Sequence, residues 1–178
     1  MPAQRKYIDD YLSVLEAQRR SIFAQIEGLS TERLWRRPAS GKWSAGEHFE
    51  HLLKAMRIFR RTFRVVIPFS LPAARLLKDK PYNAAVGDVF QGRTMKAPFI
   101  IRPRRRQKPK DYLLLSNLKQ DLEQERIRLK HLFDGIDDDL AGHIKTWDGP
   151  LGWVNLLQEL RTLGFHEEHH FEAIRRLL

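Results

Sequence analysis

The 178-residue sequence contains no cysteine. That absence excludes a disulfide framework, a thiolate metal site and a cysteine nucleophile together. Any metal must therefore be held by imidazole and carboxylate. No apolar run approaches the roughly 20 residues of a membrane-spanning helix. The opening Met1-Pro2-Ala3-Gln4-Arg5-Lys6 leads into an amphipathic pattern rather than an apolar signal core, so a cytoplasmic location is expected. No segment passes the period-two test of a half-buried strand, and no repeat or low-complexity stretch is seen. Negative charge is the scarcer sign: 22 Asp and Glu stand against 32 Lys and Arg, a formal net charge of +10. Such an excess points toward nucleic acid or another anionic partner. Much of it is local, in Arg102-Pro103-Arg104-Arg105-Arg106-Gln107-Lys108-Pro109-Lys110. Two prolines keep that stretch out of a helix interior, and no aromatic is interleaved to stack on bases. It reads as a solvated loop.

What is present is helical periodicity. Hydrophobic residues make up 42% and charged residues 30%, which together with the length describes one soluble domain over residues 1–178. Ile8, Leu12, Leu15, Ile22 and Ile26 recur at helical spacing and define a first helix from about Lys6 to Gly28. Ser44 with Glu47 forms a capping box that opens a second helix. Phe49, Leu52, Leu53, Met56, Phe59, Phe63 and Val66 give its apolar stripe, and Pro68 is expected to stop it. Residues 67–111 hold repeated prolines and no sustained period. Leu71 to Lys78 reads as a short helix and the rest as a long connection across the bundle. Asp111 is expected to cap a third helix running to about Phe133. An acidic connection and a turn at Trp147-Asp148-Gly149-Pro150 follow, and a fourth helix runs from about Leu151 to the C-terminus. The expected fold is all-α, a four-helix bundle with a long crossover between the second and third long helices.

The chemistry is concentrated in histidine. His166 and His170 lie one helical turn apart, His170 within the apolar stripe of the last helix and His166 at its edge. His169 points the other way, toward solvent. A third imidazole from the second helix would complete a set of three ligands and leave a coordination position open, as catalytic metals require. Periodicity allows either His48 or His51 to supply it. The stretch His166-Glu167-Glu168-His169-His170 also matches the H-E-x-x-H pattern of zinc proteases. A protease of that kind needs a third ligand further along and a sheet beside the helix. Here eight residues remain after His170 and no strand is evident, so the third ligand is expected from upstream. Glu167, beside His166, is a candidate to orient a ligand or act as a base. Glu47 is better explained as the cap partner, and Trp43 as packing of the helix entry.

Taken together these residues resemble the DinB-like superfamily, four-helix metalloenzymes that include bacillithiol- and mycothiol-dependent transferases. The resemblance rests on Pro38, Trp43-Ser44 and His51-Leu52, then on His166 and His170 in the last helix. Thr94-Met95-Lys96-Ala97-Pro98 and Gly149-Pro150-Leu151-Gly152 add to it. It implies His51 rather than His48 as the third ligand. It further implies a divalent metal, zinc or nickel, held by His51, His166 and His170. The partners implied are a low-molecular-weight thiol and a small electrophilic substrate. A cysteine-free enzyme of this type takes its nucleophile from outside the chain. Two other functions are compatible with the sequence: metal-assisted hydrolysis by water, and a basic, non-catalytic protein that binds nucleic acid or another anion. The loop at Arg102–Lys110 is a candidate holder of an anionic cosubstrate, and a homodimer through bundle faces is compatible with the pattern.

Overall fold

The structure is a computed structural model that describes residues 5–91, 99–105, 111–149 and 151–178. The segment Thr94–Pro98, the second half of the basic stretch (106–110) and Pro150 lie outside the described residues. Four long helices form the bundle: α1 (Lys6–Gln25), α3 (Ala45–Leu76), α4 (Leu115–His131) and α6 (Leu156–Arg175). Shorter pieces join them: α2 (Thr31–Trp35), a single 3₁₀ turn (Phe99–Ile101), α5 (Asp138–His143), and the strands β1 (Lys145–Asp148) and β2 (Gly152–Asn155).

Side-chain pairing fixes the helix directions. Tyr11 lies by Arg161, Val14 by Gly164 and Gln25 by Arg175, so α1 and α6 run parallel. Arg57 reaches Asp121 and Arg60 reaches Glu125, so α3 and α4 are parallel too. His48 meets His170 while His51 meets His166, which makes α3 and α6 antiparallel. Parallel neighbours cannot be joined by a tight turn, because the chain must travel back the length of the bundle. That is the physical reason for the long crossover between α3 and α4.

Several local expectations are corrected. α3 does not stop at Pro68 but continues through Pro68 and Pro72 to Leu76, absorbing the short helix expected at Leu71 to Lys78. Both prolines are exposed and lie one turn apart on the solvent side. The carbonyls that lose a helical N–H partner can therefore be hydrated, which lowers the cost of the break. α4 begins at Leu115 rather than after Asp111. Trp35 Nε1 donates to the Leu113 carbonyl at 2.8 Å and its ring stacks on Tyr112, holding that stretch extended. The acidic connection is a capping device. Asp137 caps α5, and the Asp138 carboxylate accepts from the N–H groups of Tyr7 and Ile8 at 2.9 and 3.0 Å. This satisfies donors at the start of α1, where Arg5 offers no side-chain cap. Finally, β1 and β2 form an antiparallel hairpin where no strand was expected. Strands of four residues are too short to register as alternation. Gly152 takes φ +76° at the turn, a left-handed conformation suited to glycine. Asn155 then caps α6 with a capping box completed by Gln158, and the helix begins at Leu156, five residues after the start expected from sequence.

The interior divides into two apolar clusters. One is built around Leu12, Leu15, Met56, Phe63, Phe133 and Leu160, the other around Ile22, Phe49, Leu52, Leu122 and Phe171. Buried polar side chains lie between them along the helices: Arg19 on α1, Glu125 on α4, and His166 with Glu167 on α6. The polar level is thus built into the middle of the fold.

Candidate metal centre

His51 sits in the second turn of α3, and His166 and His170 sit one turn apart on α6. The antiparallel crossing of these helices brings the three rings together. His51 Nε2 lies 3.0 Å from His166 Nε2, and His170 Nε2 lies 3.2 Å from the same atom. One ligating nitrogen from each ring falls within 4.8 Å of the other two. Ligands at zinc–nitrogen distances in a tetrahedral site stand about 3.3 Å apart, so the spacing suits a single small divalent ion.

The donor chemistry suits it as well. His51 Nδ1 donates to the Ile101 carbonyl at 2.9 Å, which leaves the lone pair on Nε2, facing the cluster. Burial lowers the proton affinity of His51, partly opposed by that carbonyl. Burial, with the charges of His51 and His169, brings His166 down to about 3. His170 is held well below the ordinary imidazole range, first by burial and then by His166, His51 and His48. All three rings are therefore neutral at physiological pH, the state a metal requires of imidazole. His166 Nδ1 is buried with no hydrogen-bond partner among the described residues, so that ring is held by packing instead. The Phe90 ring lies 5.2 Å from it.

A fourth histidine belongs to the cluster. His48 Nδ1 lies 2.8 Å from His170 Nδ1. Of the two candidates on α3, His51 therefore meets the ligand cluster directly and His48 meets it from outside. The sequence signal was the i,i+3 spacing of the two, which puts both on one side of α3. Trp43 is also nearer the site than expected. Its ring stands over His170 at 6.1 Å and 14°, and lies 5.1 Å from His51 and 5.4 Å from His48. His169 is half-buried rather than solvated, beside Phe90 and His170.

Glu167 does not reach the cluster. Both its oxygens are taken by Arg19 in a buried ion pair, with Arg19 Nε donating at 2.8 Å, and its side chain is 1% exposed. The expected role as ligand-orienting group or base is corrected to a structural one, because the residue after His166 turns toward α1 rather than α3. Glu47 is the cap partner of Ser44 and also receives Arg37.

The cluster opens on a cavity of about 1150 Å³, with Trp43, His48, His169, His170 and Phe90 along its wall. Lys42, Arg102 and Arg161 are among the cations that line it. Of the basic stretch, Arg102 and Pro103 reach this wall, and Lys54 donates to the Arg102 carbonyl at 2.7 Å.

The sequence model of the DinB superfamily matches residues 15–174. Among solved structures, the chain is similar to YfiT from Bacillus subtilis, described as a probable metal-dependent hydrolase with an unusual four-helix bundle topology. That match has 15% identity and a TM-score of 0.60, and covers 95% of this chain and 84% of the other. No curated protein matches the sequence.

Proposed function

The chain belongs to the DinB superfamily, and from that membership and the histidine geometry we propose that it is a metal-dependent enzyme whose ligands are His51, His166 and His170. The observation that carries this reading is the convergence of three neutral Nε2 atoms beside a cavity. An ion held there supplies Lewis acidity, which lowers the pKa of a bound thiol or water toward neutrality. The first reading is a transferase that takes a low-molecular-weight thiol as its nucleophile and a small electrophile as its substrate, with zinc or nickel as the ion. Two facts support it. The chain has no thiol of its own. The cavity, at about 1150 Å³, exceeds the roughly 300–1,000 Å³ of an ordinary small-molecule site and has room for two reactants.

The chain's own residues supply the setting. Trp43 and Phe90 cover the histidines and keep bulk water from them. His51 is oriented through Ile101. The wall carries five Lys or Arg side chains against Asp88, Glu168 and Glu172, a modest positive excess that favours an anionic thiol or substrate.

The second reading is hydrolysis with water in place of the thiol, favoured by the description of YfiT. Protein expressed without a histidine tag and loaded with zinc or nickel separates the two. Conversion of an electrophilic aryl halide only when a thiol is added supports the transferase. Ester hydrolysis without thiol supports the second reading. Elemental analysis that finds no stoichiometric divalent ion, together with no binding of added zinc or nickel, overturns both.

A further inference from the structure

His48 has no role in the three-ligand set, yet its Nδ1 lies 2.8 Å from the Nδ1 of His170, a hydrogen-bond distance between two atoms that each either donate or accept. One proton must lie between them. A ring that ligates through Nε2 carries its proton on Nδ1, so a ligating His170 is the donor and His48 the acceptor. The opposite assignment would put the His170 proton on Nε2, which faces His166 Nε2 at 3.2 Å, and would block the lone pair that ligation needs. The His48 proton then resides on its own Nε2.

The position of His48 is itself fixed. Its backbone N–H bonds to the Ser44 carbonyl at 3.1 Å within the first turn of α3, and Trp43 packs edge-on against its ring. His51 has a backbone carbonyl as the corresponding partner, and His166 has none. None of the three ligands therefore has a carboxylate behind it among the described residues. A carboxylate partner raises ligand basicity, and its replacement by imidazole and carbonyl leaves more of the ion's charge to act on the bound reactant.

We propose that His48 is a positioning residue for the metal centre: its Nδ1 accepts the His170 Nδ1–H bond and so selects the tautomer of His170 that ligates through Nε2. The proposal rests on the three-histidine reading above and is tested separately from it. Zinc affinity is measured by competition with a chromogenic chelator for the wild type, His48→Phe, His48→Asn and the control Arg104→Gln. Removing an outer-shell partner of a ligand weakens binding about 10–100-fold, and that loss is expected for His48→Phe. Asn places an amide oxygen near the position of Nδ1, so His48→Asn is expected to recover most of the affinity, and Arg104→Gln to match the wild type. In the zinc-loaded, ¹⁵N-histidine-labelled wild type, the His170 ring is expected to carry its proton on Nδ1. Equal affinity in His48→Phe overturns the proposal, as does an Asn variant no better than Phe, or a proton-free Nδ1 on His170. A cobalt-loaded wild type whose spectrum loses a nitrogen ligand in His48→Asn also overturns it, by making His48 a ligand. Failure of the wild type to bind zinc at all overturns instead the three-histidine centre on which it stands.

Discussion

Arg19 and Glu167 form a buried, two-pronged ion pair across the α1–α6 contact, and Arg19 also donates to the Leu122 carbonyl of α4 at 3.0 Å. One guanidinium thus ties three of the four long helices at the level where the apolar core is interrupted. The carboxylate that the H-E-x-x-H pattern nominates as a base is spent on this junction.

Breaking the pair on one side leaves a buried charge without a partner. Arg19→Met is expected to destabilise the protein by about 3–5 kcal/mol. The double variant Arg19→Met/Glu167→Leu is expected to regain most of that loss, since an apolar pair of similar volume fits such a site at little or no cost. Denaturant unfolding of the two variants checks this. A double variant as unstable as the single one would contradict the assignment. If Glu167 were a base after all, the stable double variant would bind zinc normally and still be inactive.

Loading with zinc is expected to raise thermal stability, because the folded chain alone assembles the three rings. At free zinc a hundred times the dissociation constant the gain is about 2.7 kcal/mol, or about 5–10 °C in Tm for a domain of this size. His51→Ala, His166→Ala and His170→Ala are each expected to abolish the increase. A zinc-dependent rise that survives all three substitutions would place the ion elsewhere.

Glu159 supplies a pH dependence remote from the histidines. Burial, with a smaller contribution from Asp148, pushes its carboxyl up to about 8 from an ordinary 4.5. The folded state therefore holds a proton that the unfolded chain has released. The stabilisation is complete below about pH 4.5 and is lost progressively as pH rises toward 8. Glu159→Gln keeps the neutral shape and is expected to flatten the fall in stability between pH 5 and 8, by up to about 4 kcal/mol at the upper end. Thermal melts of both proteins across that range test it. Parallel curves would show that Glu159 is ionised in the fold.

Gly46 separates two opposing effects. Alanine in a helix is favoured over glycine by about 1 kcal/mol. Yet a Cβ at Gly46 would meet the Trp35 ring at 2.7 Å. That ring is pinned by its bond to Leu113 and its stack on Tyr112, so it cannot yield freely. Overpacking of this kind costs about 1–3 kcal/mol. Gly46→Ala is therefore expected to be neutral to destabilising by about 2 kcal/mol in chemical denaturation, and a clear gain in stability would refute the contact.

The four long helices were legible because each buries a continuous stripe, such as Phe49, Leu52, Met56 and Phe63 on α3. Their ends were less so. Pro68 and Pro72 are tolerated because of where they point, and period alone does not reveal which side of the helix meets water. Asp137 and Asp138 looked like a charged connection, since the N–H groups Asp138 satisfies belong to residues about 130 positions away. At the site, the pairing of His166 with His170 followed from one helix. The place of His48 depends on how α3 crosses α6, which no single-helix pattern encodes. Trp43 was assigned to packing for the same reason, and Glu167 was misjudged because its partner lies on α1.

The donors of the proposed centre come from only two helices, and His51 and His166 are separated by 115 positions in the chain. A polypeptide emerging from the ribosome that has completed α4 holds one donor of the three. Ion capture must then wait for the last helix to dock antiparallel on α3, so a chelator present only during synthesis and removed before that docking should leave maturation intact, whereas one still present when α6 docks should block it.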